Sequence, residues 1–167
     1  MPRVLLRVAY DGTAYAGWQR QTNGVSIQAL LEDALAPVVG GRVTVAGAGR
    51  TDAGVHADAQ AAHVDVPDGI DPSMVMRAGN ARLPADVRIR RADLVADDFH
   101  ARFSAVSKTY RYAWLVSHVG HPLLARTHHV VAPPLDLSAM AHAAARVVGT
   151  FDFRAFQSAG ATVASTV

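Results

Sequence analysis

An arginine and an aspartate lie two residues apart within a glycine-rich stretch of the chain. Residues 47–57 read Gly-Ala-Gly-Arg-Thr-Asp-Ala-Gly-Val-His-Ala and place the charged pair Arg50 and Asp52 between glycines. An ionised aspartate can act as a nucleophile, and a neighbouring arginine can lower the pKa of that carboxylate or bind an anion. Because glycines leave room beside the backbone, the stretch indicates a loop against which a large group lies.

The residues on either side of this loop predict strands. Residues 42–46 precede it and residues 59–66 follow it, and both runs are rich in alternating apolar residues. Catalytic groups concentrate on loops held by rigid strands. A tight loop capped locally by the Asp52 carboxylate fits the same composition. A dinucleotide-binding fingerprint does not fit, because Asp52 replaces its third glycine and no helix begins there.

Length and composition indicate a globular protein. With 167 residues, half of them hydrophobic, the chain can form one domain or two small ones. No apolar run reaches the roughly 20 residues of a membrane helix, and no signal peptide is evident, so we expect a cytoplasmic protein without membrane contact. The absence of cysteine excludes disulfides and thiolate metal sites. The histidine pairs 118/121 and 128/129 lack carboxylates at ligand spacing, so we expect no metal.

The basic residues suggest a nucleic-acid partner through their type more than through the net charge of +2. Fifteen of the sixteen are arginine, whose guanidinium binds phosphate in a bidentate manner, although a GC-rich genome would produce the same bias. Several cluster along the chain and predict a stripe facing phosphates. The candidate RNA-contacting residues are Arg88, Arg90 and Arg91 on one strand, followed by Arg102, Lys108 and Arg111.

The remaining pattern predicts an α+β fold. Apolar spacing indicates a helix from residue 27 to Gly40, a helix from Asp71-Pro72 to about residue 81, and a helix over 137–148 that is capped by Asp136 and ends at Gly149. Further strands are predicted over 3–10, 86–95 and 106–117. The elements do not alternate regularly, which favours a largely antiparallel sheet with helices on one face. The order suits two ferredoxin-like units.

Motifs along nearly the whole chain resemble those of the tRNA pseudouridine synthase A family. The resemblance begins with Tyr-Asp-Gly-Thr-Ala-Tyr-Ala-Gly-Trp-Gln-Arg-Gln at 10–21 and includes the Asp52 loop at the expected spacing. Phe151 departs from the pattern, where a polar residue often stands. The other matches are Ser26-Ile27-Gln28, Gln60, His63, Asn80, Leu83-Pro84, residues 98–105, Lys108-Thr-Tyr-Arg-Tyr112 and residues 149–153.

For the architecture, this resemblance implies two ferredoxin-like units whose sheets join, with the active cleft between them. Residues 1–104 would form the N-terminal unit with the aspartate loop, and residues 105–167 would begin the second unit. The later strands of that unit are not present, so the chain is expected to be incomplete at its C-terminal end. The family also implies a homodimer.

For the chemistry, the resemblance implies an isomerase that converts uridine to pseudouridine in the anticodon stem-loop of tRNA. Asp52 would be the nucleophile, at C1′ or at C6, and Arg50 would support extrusion of the base. Tyr110, on the predicted 106–117 strand, would stack on the target uracil, whereas Tyr112 suits packing. The reaction is redox-neutral and needs no cofactor, including no nucleotide. The alternative is a noncatalytic RNA-binding module of the same fold.

Overall fold

The computed structural model describes residues 1–157, which fall into two compact units. The first unit is Met1–Arg111, and the second begins at Tyr112. The α+β class is confirmed, because an antiparallel four-stranded sheet combines with helices. The predicted unit boundary between residues 104 and 105 stays a prediction. No helix of the described part is long and apolar enough to cross a membrane.

The first unit contains four strands and two helices. In chain order they are β1 (Arg3–Tyr10), α1 (Ile27–Val39), β2 (Ala46–Gly47), β3 (Ala57–Asp65), α2 (Pro72–Asn80) and β4 (Val87–Val95). The sheet has the order β2-β3-β1-β4, and every neighbouring pair is antiparallel. Strand β1 is therefore central, with β3 and β4 on its two sides.

Both helices of this unit begin where side-chain caps predict them. Ser26 Oγ accepts a hydrogen bond from the Ala29 amide at 3.3 Å, and Asp71 Oδ1 accepts one from the Ser73 amide at 2.7 Å. These contacts satisfy amides that have no partner within the helix. Helix α1 ends at Gly40, whose φ of 76° lies in the left-handed region that favours glycine.

One face of the sheet carries the hydrophobic core. Val4, Leu6 and Val8 alternate along β1 and are fully buried, together with Leu31 and Leu35 of α1. The opposite face carries Leu5 paired with His63 and Arg7 paired with Arg91. Strand pleating thus leaves a polar face of the sheet on the side opposite the core.

The strand predicted over 42–46 is much shorter than expected. Only Ala46–Gly47 is strand, paired with His63 and Ala62. The backbone of Val45 bonds instead to side chains of α1: its amide donates to Glu32 Oε1 at 3.1 Å, and its carbonyl accepts from Gln28 Nε2 at 3.0 Å. Side chains therefore take the place of a neighbouring strand before the loop.

The second unit contains β5 (Trp114–Val116), β6 (His129–Val131) and α3 (Leu137–Ala145). The two strands pair in parallel and form a separate sheet, so the described residues do not show the joined sheet. The predicted strand over 106–117 is wrong for 106–113, none of which is strand in the described part, although the Ala113 carbonyl accepts a hydrogen bond from the His129 amide at 2.9 Å. An extended pattern becomes a strand only where a partner strand binds it. Tyr110 therefore does not lie on a strand.

Helix α3 begins at its predicted cap, since Asp136 Oδ1 accepts from the Ala139 amide at 2.8 Å. It ends at Ala145, before the predicted end at residue 148. The amides of Arg146 and Val147 bond to carbonyls three residues earlier, those of Ala143 and Ala144. This tighter turn ends the α-helix ahead of Gly149.

Candidate active site

The loop that follows β2 is held at Thr51, the residue between the two charged side chains. The Thr51 carbonyl accepts a hydrogen bond from the Trp18 amide at 2.9 Å. The Thr51 hydroxyl lies 2.8 Å from the Tyr10 hydroxyl. Arg50 and Asp52 are exposed, whereas Thr51 is half-buried. The middle residue is thus fixed to the protein, and its two charged neighbours face solvent.

Residues 10–18 form the other side of this contact. Gly17 has a φ of 92°, and a Cβ atom there would overlap the Thr51 carbonyl and crowd the backbone of Asp52. Gly12 meets the Val55 carbonyl in the same way, and its amide donates to His56 Nδ1 at 3.1 Å. Glycines are therefore required where the two segments touch. Residues 10–18 and the Asp52 loop therefore pack directly against each other.

Asp11 makes the turn that begins this segment. Its Oδ1 accepts from the Thr13 amide at 3.0 Å and from the Thr13 hydroxyl at 2.6 Å. The same oxygen lies 3.1 Å from His56 Nδ1. Asp11 thus caps the short 3₁₀ turn Gly12–Ala14. These contacts give Asp11 a structural role.

A buried polar network supports the start of the loop. Gln28 and Glu32, one helical turn apart on α1, hold both backbone groups of Val45. Arg20 Nε donates to Glu32 Oε2 at 2.6 Å, which neutralises the buried carboxylate. Gln60 Nε2 then bonds the Gly49 carbonyl at 2.5 Å. Side-chain hydrogen bonds therefore hold the chain at Val45, Gly49 and Thr51.

A groove of about 510 Å³ opens beside the loop. Three cationic side chains, Arg50, Arg102 and Lys108, line it, together with His100, and none of its lining residues is acidic. The Lys108 Nζ lies beside Gly49, about 3.0 Å from where a Cβ on that glycine would stand. A lining with three cations and no acidic residue favours an anion such as a phosphate. The remaining lining residues are Trp18, Gln19, Gln28, Thr44, Val45, Ala46, Gly47 and Gly49.

A series of rings covers part of the polar sheet face next to this groove. His63 Nδ1 accepts from the Ala101 amide at 3.1 Å, and the His63 ring contacts that of His100 at 4.7 Å between centroids. The His100 ring in turn lies 4.4 Å from the ring of Phe103. Burial, and then the nearby charges of Arg3 and His100, lower the pKa of His63. A neutral His63 therefore holds the segment that carries Arg102.

An ion pair fixes the opposite end of the same segment. Arg3 binds Asp65 through Nε at 2.7 Å and donates to the Phe99 carbonyl through Nη1 at 2.7 Å. The hydrogen bond from Arg3 lowers the pKa of Asp65. Residues 99–101 are thus held by both Arg3 and His63.

The described residues contain no group of three or more His, Asp or Glu side chains that could hold a metal ion.

The structure brings some of the predicted site residues together and leaves others apart. Asp52 lies on the anchored loop, and Arg50, Arg102 and Lys108 share the groove. Arg50 and Asp52 form no ion pair within residues 1–157, so the Arg50 guanidinium is available to a ligand. Tyr110, 80% exposed, and Arg111, also exposed, do not line the groove.

The arginines of β4 do not form a continuous stripe. Arg88 Nη1 donates to the carbonyls of Leu83, Pro84 and Val87, and Arg91 Nε pairs with Asp93 at 2.7 Å. A register shift on β4 falls between the positions that pair with Arg7 and Val8, which separates Arg90 from the regular alternation. An RNA contact by Arg88 or Arg90 stays a prediction.

Sequence reasoning missed the residues that hold the loop. Tyr10, Gln28 and Glu32 were not candidates, although each is buried and hydrogen-bonded beside the site. One signal was present for the last two: both are polar and lie four residues apart, next to the apolar stripe of α1. Polar side chains buried in this way need partners, and the nearest backbone is that of the loop.

The sequence of this chain is similar to those of known proteins. A family model described as tRNA pseudouridine synthase matches residues 7–104. The tRNA pseudouridine synthases A of Syntrophotalea carbinolica and Solidesulfovibrio magneticus are 47% and 49% identical over 167 and 173 aligned residues, which cover 100% of this chain. That of a Geobacter species is 43% identical over 168 residues, again with 100% of this chain covered.

This chain spans 66%, 63% and 68% of the lengths of those three relatives, in that order. The match to the family model contains the anchored loop, the glycine contacts and two of the three groove cations, Arg50 and Arg102. Identity of this level over the whole chain, together with the matching family model, shows to which family the chain belongs. The chain belongs to the tRNA pseudouridine synthase A family.

Proposed function

We propose that this chain converts uridine to pseudouridine in tRNA, with Asp52 as the nucleophile. The observation that carries the proposal is the anchoring of Thr51, which fixes the backbone between the exposed Asp52 and Arg50, a residue that lines the cationic groove. Because the chain spans about two thirds of its relatives' length, its own activity is part of the proposal. The expected substrate site is the anticodon stem-loop, and the expected assembly is a homodimer.

The reaction rearranges one nucleotide without gain or loss of electrons. The Asp52 carboxylate attacks either C1′, as N1 leaves with the bonding pair, or C6 of the uracil ring. In the first route, C5 of the released uracil bonds to C1′ and displaces the carboxylate. In the second route, the N1–C1′ bond breaks in the C6 adduct and C5 bonds to C1′, and the carboxylate leaves C6 when C5 is deprotonated. In both routes C5 loses its proton and N1 gains one. An exposed aspartate held on a fixed backbone suits both routes, since covalent catalysis divides one difficult step into two easier ones.

Arg50 is proposed to stabilise the RNA after the target base leaves its stack. Extrusion of a stacked base costs a few kcal/mol and leaves a gap or a displaced backbone behind. The Arg50 side chain is exposed, has no ion pair with Asp52 in the described residues and lines the groove. A planar cation can both stack in a gap and bind a displaced phosphate. Tyr110 is proposed to stack on the extruded uracil.

The groove is proposed to bind the RNA backbone next to the target nucleotide. Arg102 and Lys108 are exposed, and Lys108 lies directly beside Gly49, which precedes Arg50. A phosphate held between them would place its nucleotide next to the Asp52 loop. The other arginine candidates, Arg88, Arg90 and Arg111, would contact more distant phosphates.

A tritium-release assay tests this function. The purified chain is incubated with tRNA labelled at uracil C5, because isomerisation is the step that exchanges this hydrogen. We expect release that reaches one tritium per target uridine and a matching pseudouridine signal in nucleoside mass spectrometry. Binding of the tRNA without release would identify the chain as the noncatalytic RNA-binding module instead.

A further inference from the structure

Tyr10 carries a hydroxyl group that is buried at the boundary between the core and the loop. Its side chain is 4% exposed, and its ring packs against Trp18 at 6.2 Å between centroids. Burial raises the pKa of Tyr10, and the hydrogen bond to Thr51 offsets only part of that effect. The phenol is therefore protonated at neutral pH. A buried hydroxyl needs a partner, and here the partner is Thr51 Oγ1.

The position of Tyr10 in the sheet restricts the movement of this hydroxyl. Tyr10 is the last residue of the central strand β1 and pairs with Ala57 of β3 and Val87 of β4. The ring is thus fixed by strands on both sides and by the core beneath it. Its hydroxyl reaches across to a loop residue 41 positions later in the chain.

Thr51 connects the fixed hydroxyl of Tyr10 to the two charged residues of the loop. Its carbonyl is held by the Trp18 amide and its hydroxyl by Tyr10, so both its backbone and its side chain are fixed. Arg50 and Asp52 are its direct neighbours. A shift of about 1 Å in a reacting group can lower a rate by about a hundredfold.

We propose that Tyr10 is a positioning residue that acts through Thr51 to hold Asp52 and Arg50 in their reactive arrangement. This inference rests on the proposed function for its effect on rate. The alternative is that Tyr10 only packs in the core. Tyr10→Phe separates the two, because it keeps the ring and removes the hydroxyl that reaches the loop.

The kinetic test compares matched tyrosine variants. For Tyr10→Phe we expect kcat for pseudouridine formation to fall at least about tenfold, with KM for tRNA within about threefold. Thr51→Val should behave alike and Thr51→Ser should stay near wild type, because serine keeps the hydroxyl. The double variant Tyr10→Phe/Thr51→Val should be no slower than either single variant, as expected when both changes remove one interaction.

Tyr15→Phe is the control. The Tyr15 hydroxyl donates to Asp86 Oδ1 at 2.6 Å, and burial, together with that carboxylate, raises the pKa of Tyr15 to about 12. This variant removes a comparable hydroxyl contact that does not involve Thr51. We expect its kcat to remain within about twofold of wild type. Circular dichroism melting curves check that all variants are folded.

A second measurement does not depend on activity. The Trp18 amide donates to the Thr51 carbonyl, so its hydrogen exchange, read by NMR, reports whether the loop stays attached. We expect about tenfold faster exchange in Tyr10→Phe and Thr51→Val, and unchanged exchange in Tyr15→Phe. If the wild-type chain forms no pseudouridine, the proposed function fails. The exchange rate of the Trp18 amide then decides by itself whether Tyr10 positions the loop. The inference is overturned if Tyr10→Phe matches Tyr15→Phe in exchange and, for an active chain, in kcat.

Discussion

Gly12 and Val55 lie so close together that a Cβ atom on Gly12 would overlap the Val55 carbonyl group. Gly12→Ala should therefore push the Asp52 loop away from residues 10–18. We expect a loss of about 1 to 3 kcal/mol in the free energy of unfolding, as for other overpacked sites. Pseudouridine formation should fall further than the loss of folded protein explains. Chemical denaturation and the tritium assay measure the two effects.

Gly41→Ala provides the control for this substitution. A Cβ at Gly41 would meet no atom within 4 Å, and the residue lies just beyond α1. The free energy of unfolding of Gly41→Ala should differ from that of wild type by less than about 1 kcal/mol. Equal losses in the two variants would show that the tight contact between Gly12 and Val55 does not matter.

The stability of the first unit should depend on the protonation of His63. Because burial lowers the pKa of His63 in the folded state, the unfolded chain binds a proton more readily. The stabilisation from neutral His63 is fully present above the ordinary histidine pKa of about 6.5 and is lost as the pH falls below it. We expect the free energy of unfolding to fall between pH 7 and pH 5.

His63→Gln should flatten this dependence, because glutamine does not titrate. Asp65, whose pKa is lowered by Arg3, contributes only at more acidic pH, as the pH falls below about 4. Urea denaturation of both proteins at several pH values makes the comparison. An equally steep dependence in the variant would assign the effect to other groups.

Lys108 should contribute one phosphate contact. For Lys108→Ala we expect weaker tRNA binding and a slope of log affinity against log salt that is smaller by about one unit. Arg77→Ala is the matched control, since it removes the same charge from an exposed position on α2. Fluorescence anisotropy at four salt concentrations gives both slopes. A slope identical to wild type for Lys108→Ala would remove this residue from the RNA interface.

Arg50→Lys keeps the charge but loses the planar head. We expect tRNA binding to survive and turnover to fall steeply on a fully paired stem. A substrate with a mismatch at the target nucleotide should lose less, because its base is already loosely stacked. Single-turnover rates on the two substrates provide the measurement. Equal losses on both would argue against a role for Arg50 in base extrusion.

The sequence predicts those elements whose signals are local. Ser26, Asp71 and Asp136 each cap the helix that their position indicates, because a cap acts over three residues. The strands β1 and β4 also lie close to their predicted bounds. The α+β class follows from these elements, and the family resemblance then locates the loop.

The errors arise where distant residues decide the outcome. Residues 42–45 have a strand pattern, but Gln28 and Glu32 bind the backbone of Val45 in place of a strand. Residues 106–113 also read as a strand, yet none of them is strand in the described structure. The Tyr10–Thr51 hydrogen bond and the approach of Lys108 to Gly49 could not be predicted for the same reason. These contacts join residues that are 41 and 59 positions apart, respectively. No local pattern encodes such contacts.

The activity of an Asp52→Asn variant shows whether Asp52 is the nucleophile. The substitution removes the nucleophile but keeps the size of the side chain and the anchored backbone around it. Tritium release from C5-labelled tRNA should fall to the level without enzyme, while tRNA affinity stays within about threefold of wild type. Substantial tritium release by the Asp52→Asn variant would contradict the assignment of Asp52 as the nucleophile.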